Sequence, residues 1–130
     1  MIVIGIDPGT ATTGYGVVKI INKSYNCIDY GTIKTSQSLK QQERLILINK
    51  DIGKLLDKYQ PNILAVETIY FFKNSKTAIP VSHARGVILM GSAERDIPVY
   101  EFTPLQAKSA TVGYGRADKK QVQEMVKIHL

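Results

Sequence analysis

Ile2-Val3-Ile4-Gly5-Ile6-Asp7-Pro8-Gly9-Thr10 is the stretch that decides the fold. Residues 2–7 form an apolar run that ends in a carboxylate, and a Pro-Gly turn follows at once. A short apolar run bounded by a turn signal reads as a strand buried inside a sheet. Its counterpart is Ile63-Leu64-Ala65-Val66-Glu67, another apolar run closed by an acid. A helical pattern precedes the second run, and a strand reached through a helical crossover pairs parallel with its neighbour. Parallel strands share one carboxyl edge, where open α/β sheets place ligands. Asp7 and Glu67 are therefore expected side by side at that edge.

The segments between these runs fill in an α/β domain. Gly14 to Ile21 reads as a second strand, Asn22-Lys23 as a turn, and residues 25–34 as a third strand, so strands 1–3 form an antiparallel meander. Leu45, Ile48, Ile52, Leu55, Leu56 and Tyr59 recur at the spacing of one helical face. Ser38 with Gln41 suggests the capping box of that helix, and Gln60-Pro61 its stop. A second helix is expected over about Ser75 to Arg95, with Pro80 either setting its start near Ile79 or disturbing its first turn. Val99-Tyr100-Glu101-Phe102 reads as a fifth strand. Thr103-Pro104 then opens a short helix, Gly113-Tyr114-Gly115-Arg116 interrupts it, and Asp118 with Gln121 caps the last one. There is no internal repeat, low-complexity tract or linker, so residues 1–130 read as one domain.

Of 130 residues, 44% are hydrophobic and 22% charged, which suits one globular core. No apolar run approaches the roughly 18–20 residues that cross a bilayer. The N-terminus enters a strand pattern without a basic flank or cleavage site, so no signal peptide is expected. A lone cysteine, Cys27, fits a reducing compartment, most simply the cytoplasm. Seventeen Lys and Arg against eleven Asp and Glu give a net charge of +6, which favours a polyanionic partner.

Two carboxylates at one sheet edge suit a divalent ion such as Mg²⁺, which takes oxygen ligands and keeps several waters. Spacing alone also admits structural roles: an Asx turn for Asp7, and a lysine partner for Glu67. Tyr70-Phe71-Phe72-Lys73 puts three aromatics beside a lysine just past the second carboxylate. Three adjacent rings do not all point into one core, and an exposed ring stacks on bases at about 1–3 kcal/mol each. Covering the sheet edge is the competing role for any one ring. Lys108, Arg116, Lys119 and Lys120 flank the glycine loop, where a helix start offers backbone N–H groups to phosphates. Lys127 reads as part of a solvated face, Asp118 as a cap, and His83 and His129 as structural.

Taken in order, Gly5-Ile6-Asp7-Pro8-Gly9-Thr10, Thr13-Gly14-Tyr15-Gly16, Ala65-Val66-Glu67, Ala84-Arg85-Gly86-Val87 and Gly113 through Val122 carry a resemblance. The chain resembles the RuvC family of Holliday junction resolvases, RNase H-like endonucleases, along essentially its whole length. The resemblance implies an RNase H-like, five-stranded mixed sheet, with the meander of strands 1–3 followed by parallel strands 4 and 5 and helices on both faces. It implies a homodimer that binds a four-way DNA junction and cuts two strands of like polarity symmetrically with Mg²⁺, two ions per complete site. Asp7 and Glu67 match the family's first two catalytic, metal-holding carboxylates. Tyr70 matches a base-probing aromatic, and Lys108 and Lys119 match junction-contacting positions. Ala84, Val87, Ile88 and Gly91 lie on the helix that resembles the dimerisation helix. RuvA and RuvB are the implied partners.

One departure bears on activity. The family's remaining acidic motif lies on a further helix, past the point where this sequence stops at Leu130 in the middle of an apolar stripe. The expectation is a C-terminally truncated form with impaired cleavage, and the alternative is a junction-binding module without catalysis. A third reading, a sugar-kinase or actin-like ATPase, follows from the likeness of Asp7-Pro8-Gly9-Thr10 to a phosphate-binding turn, but that architecture needs two such domains.

Overall fold

The computed structural model describes residues 1–69 and 75–130. Strand β1 (Ile2–Asp7) lies at the centre of a five-stranded sheet of order β3-β2-β1-β4-β5. On one side it pairs antiparallel with β2 (Thr12–Ile21), which pairs antiparallel with β3 (Ser24–Lys34). On the other it pairs parallel with β4 (Ile63–Glu67), and β4 pairs parallel with β5 (Val99–Phe102). The sheet is thus the mixed one expected, a meander followed by parallel strands. Asn22 and Lys23, at φ 48° and 64°, make the β2–β3 turn. Two left-handed central residues match the twist of a tight hairpin. The β2–β3 register shifts between Val17 and Val18, opposite Asp29 and Cys27, so Ile28 is an extra residue in β3.

The pleat sorts the side chains. Ile4, Ile6, Val17, Leu64 and Val66 are at most 2% exposed and point to one face. Helix α1 (Gln41–Tyr59) covers them with Ile48, Ile52 and Leu56, and helix α2 (Ser75–Ala93) with Ala84 and Ile88. The two helices lie close at Gly91, where a Cβ would stand 3.7 Å from Ile52 Cγ2 and 3.9 Å from Leu56 Cδ1. Helices α3 (Pro104–Val112) and α4 (Lys119–His129) follow β5. Val122 and Val126 of α4 face Gly16, Val18 and Cys27 across a cavity on the opposite side of the sheet, so helices do lie on both faces. His129 Nε2 lies 3.3 Å from Thr111 O and links α4 to α3, a structural role as expected.

One local expectation changes. Helix α1 begins at Gln41, where Glu43 Oε2 accepts from Lys40 N at 2.9 Å, while Ser38 instead shares a hydrogen bond with Ser36. A carboxylate one turn into the helix satisfies the free N–H as well as a serine would, and it favours the helix dipole. Helix α2 starts at Ser75, as expected, and carries Pro80 inside it. On the helix that resembles the dimerisation helix, Ala84 and Ile88 are 0% exposed within one chain, and Gly91 is buried against α1. The outward stripe of α2 is Ile79, His83, Gly86 and Met90, with Val87 half-buried beside it.

Ile52 fills the junction of α1, α2 and the sheet and is fully buried. Ile52→Ala is expected to lower unfolding free energy by about 2–5 kcal/mol, read as a shift of the urea midpoint at unchanged slope.

Candidate active site

Asp7 and Glu67 are the last residues of β1 and β4. The parallel register Gly5↔Ala65, Ile6↔Val66 makes them the next pair along the ladder. Since Ile6 and Val66 point toward α1 and α2, the following residues point to the other face of the sheet. Both carboxylates therefore share one rim and one face. Asp7 reaches solvent, yet the surrounding protein pushes its carboxyl above the usual range by desolvation. Glu67, half-buried, is raised first by desolvation and then by the negative charge of Asp7, with Lys108 pulling the other way. Among the described residues neither acid forms a salt bridge.

A cavity of about 280 Å³ opens beside Asp7, lined by Gly5, Gly14, Gly16, Tyr15 and Phe102. A Cβ at Gly16 would meet nothing within 4 Å, so the floor next to the carboxylate is bare backbone with room above it.

The loop leaving Asp7 is held from three sides. Thr13 Oγ1, fully buried, donates to Gly9 O at 2.6 Å and accepts from Gly9 N at 3.4 Å. Thr35 Oγ1 donates to Thr10 O at 2.6 Å, and Thr35 N to Ala11 O at 3.1 Å. Arg44 of α1 donates from Nε to Thr35 Oγ1 at 2.8 Å. At Gly9 a Cβ would sit 2.1 Å from Thr12 O, so no larger residue fits this turn. Sequence reading missed these ties: they join threonines and an arginine far apart in the chain, and threonines are too common to signal it.

The candidate cations separate into two sets. Lys108, half-buried on α3, acts electrostatically on Glu67. Arg116, Lys119 and Lys120 lie exposed around the start of α4 and do not figure among the charges acting on the acids. Asp118 Oδ1 accepts from Gln121 N at 2.8 Å, which makes it the helix cap. Arg85 forms an ion pair with Glu101 and is not a free charge. Tyr70, Phe71, Phe72 and Lys73 lie outside the described residues.

In the β-α-β arrangement, α1, α2 and α3 all begin at the carboxyl edge of the sheet. Their N-terminal dipole ends favour anions there. The two acids at the centre of that edge raise the opposite demand. Hard oxygen donors whose ionised forms are desolvated and mutually repelling suit a small divalent cation that retains much of its water. Among the described residues there is no cluster of three or more Asp, Glu, His or Cys, so the donor set here is this pair.

Several known proteins resemble this chain. A curated crossover junction endodeoxyribonuclease RuvC from Alkaliphilus metalliredigens is 50% identical over 130 residues, all of this chain and 79% of the relative. The structure of Thermus thermophilus RuvC with a Holliday junction substrate superposes with a TM-score of 0.92 at 34% identity, covering 100% of this chain and 79% of that one. A yeast mitochondrial Holliday junction resolvase shares the fold, with a TM-score of 0.68 at 14% identity over 98% of this chain and 63% of its own. With residues 3–130 matching the model of the family described as crossover junction endodeoxyribonuclease RuvC, the chain belongs to the RuvC family.

Proposed function

We propose that this chain is a structure-selective endodeoxyribonuclease that binds four-way DNA junctions as a homodimer and hydrolyses two strands of like polarity symmetrically. The observation that carries the reading is the un-neutralised carboxylate pair at the ends of adjacent parallel strands, with Lys108 close enough to act on it. The family and the junction-bound relative support the substrate. Nucleases of this family are metal-dependent, and we assign Mg²⁺ to this site on the oxygen-only donors.

In this reading Asp7 and Glu67 hold the ion. Bound there, Mg²⁺ supplies a more acidic water and a positive charge for the departing oxygen. Everything else is positioning. The three-way fastening of the Gly9–Thr13 loop keeps Asp7 in one place relative to β4, and small errors in such placement are costly. Lys108 offsets phosphate charge beside Glu67. Arg116, Lys119 and Lys120 supply contacts with the backbone further out. Tyr70, Phe71, Phe72 and Lys73, between Glu67 and α2, are assigned to the junction crossover. Residues 1–130 act as one RNase H-like domain in the cytoplasm, with RuvA and RuvB as partners by family membership.

The dimer is assigned to the outward stripe of α2. Ile79 is 60% exposed and Met90 48% exposed, and with Val87 and Leu45 they leave apolar surface that a second copy would cover. A twofold interface uses the same patch on both copies. Met90→Asp is expected to shift sedimentation equilibrium to monomer and to uncouple the two incisions, whereas Ala84→Asp should unfold the chain.

Fluorescent four-way junctions with Mg²⁺ or Ca²⁺ test the enzyme reading. The unaltered chain is expected to prefer the junction to a duplex and to nick it with Mg²⁺ at an impaired rate, since the described residues supply only this pair of acidic ligands. Asp7→Asn or Glu67→Gln should cut cleavage by at least about 100-fold while leaving binding nearly intact. Wild-type turnover in either variant removes the assignment.

The raised carboxyl pKa values also set a stability signature. A group whose pKa is higher in the fold than in the unfolded chain stabilises the fold while protonated, and that contribution is lost as pH rises through the folded-state value. In chelator, Glu67→Gln is therefore expected to raise Tm at neutral pH and to have no such effect well below the ordinary carboxyl range. Saturating Mg²⁺ should stabilise the unaltered protein, by about 2.7 kcal/mol at 100-fold excess over Kd, and the variant much less. Thermal scans at two pH values, with and without the ion, read both effects.

A further inference from the structure

On the helical side of the same edge, the turn after Asp7 borders a groove of about 500 Å³ whose walls include Thr10, Gln37, Arg44, Lys76 and Val81. No acid lines it. Arg44 is half-buried, and its Nε and Nη2 donate to Thr35 Oγ1 at 2.8 Å and Thr35 O at 3.5 Å. Those neutral acceptors orient the guanidinium without cancelling its charge. Among the described residues Arg44 has no carboxylate partner, unlike Arg85 and Arg95. Among the described residues Nη1 makes no hydrogen bond. Lys76, exposed in the first turn of α2, lines the same groove and has no ion pair among the described residues. Thr10, 8% exposed, lines the groove as well, and its Oγ1 is buried without a hydrogen-bond partner among the described residues.

A partly desolvated cation held by neutral groups and a second cation in the same groove together ask for an anion with several oxygens. We propose that this groove is a phosphate subsite that holds a non-scissile backbone phosphodiester of the strand being cut. Resting on the junction-nuclease reading, it extends that reading to the side of the active site opposite Lys108. The strand would be gripped on both flanks of Asp7: by Lys108 on the α3 side, and by Arg44 and Lys76 on the α1–α2 side. Arg44 then has two roles, since the same guanidinium that meets phosphate also braces Thr35 and, through it, the Thr10 carbonyl.

The test is anisotropy of a labelled four-way junction against Lys76→Ala, Lys76→Glu, Arg44→Gln, Arg44→Lys and Lys119→Ala over a range of salt. Lys76→Ala is expected to flatten the plot of log affinity against log salt by about one unit and to weaken binding about fivefold near 0.15 M salt. Lys76→Glu should weaken it further. Arg44→Gln should flatten the slope and Arg44→Lys restore part of it, with Tm measured alongside because Arg44 braces the loop. A Lys76→Ala slope equal to the unaltered one, while Lys119→Ala flattens it, overturns the subsite and leaves the junction reading standing. An unaltered chain that binds no junction overturns both.

Discussion

The parallel pairing of β1 with β4 is the constraint on which the rest depends. A slip of one residue in this register would send Asp7 and Glu67 to opposite faces of the sheet. The fold prevents the slip at several levels. Ile4, Ile6, Leu64 and Val66 must all face α1 and α2, so a shifted strand would expose its apolar side and bury an acid. Asn62 pins the start of the ladder: its backbone N donates to Ile2 O at 2.8 Å, and its side-chain oxygen accepts from Ile2 N at 2.7 Å. Beyond the other end, Thr68 N donates to Phe102 O at 2.8 Å and holds β4 against β5. The distance between the two carboxylates is thus set by backbone hydrogen bonds and core packing, not by the acids themselves.

Charge is handled in two opposite ways in this molecule. Away from the edge, ions are matched: Arg95 grips Asp57 through Nε at 2.7 Å and Nη2 at 3.1 Å, and Arg85 meets Glu101. Asp29 accepts from Tyr59 at 2.5 Å, and these hydrogen bonds hold its carboxyl below the usual range. At the carboxyl edge the acids and the cations stay apart instead. Asp7 and Glu67 repel each other, while among the described residues Arg44, Lys76 and Lys108 have no acid bonded to them. Such separation costs stability, and in the function proposed above it is relieved when a cation joins the acids and phosphates join the bases. Matched pairs would have made a firmer fold and a poorer binding edge.

What could be read from the sequence follows from where each signal is stored. Apolar runs closed by an acid and a turn are local, so β1, β4 and both carboxylates were legible, as were the caps at Thr103 and Asp118, each completed by a glutamine three residues on. The start of α1 was misjudged because Ser38 and Glu43 both look like capping residues, and local sequence does not rank them. Helix α2 is harder to orient. Its apolar residues surround the axis, so spacing does not say that Ala84, Ile88 and Gly91 pack inward. The bracing of the active loop by Thr13, Thr35 and Arg44 was invisible for another reason: it exists only once β2, β3 and α1 have assembled around the turn.

The sheet glycines show how one residue type answers two demands. Glycine inside a strand weakens it, so each instance needs a cause. At Gly31 the cause is internal: a Cβ would lie 2.9 Å from the Tyr15 hydroxyl, because that ring lies across the neighbouring strand on its way to Asp29. Gly16 has no such neighbour, and Gly5 meets only a carbonyl oxygen at 4.0 Å, so packing within the chain does not require either. Both lie on the face that carries Asp7, and both line the cavity beside it. Side chains at these positions would fit the isolated chain yet stand between the carboxylates and anything approaching along the sheet. A cost in strand stability with no internal return, confined to the approach to the acids, is what a surface shaped for a large polyanion would carry.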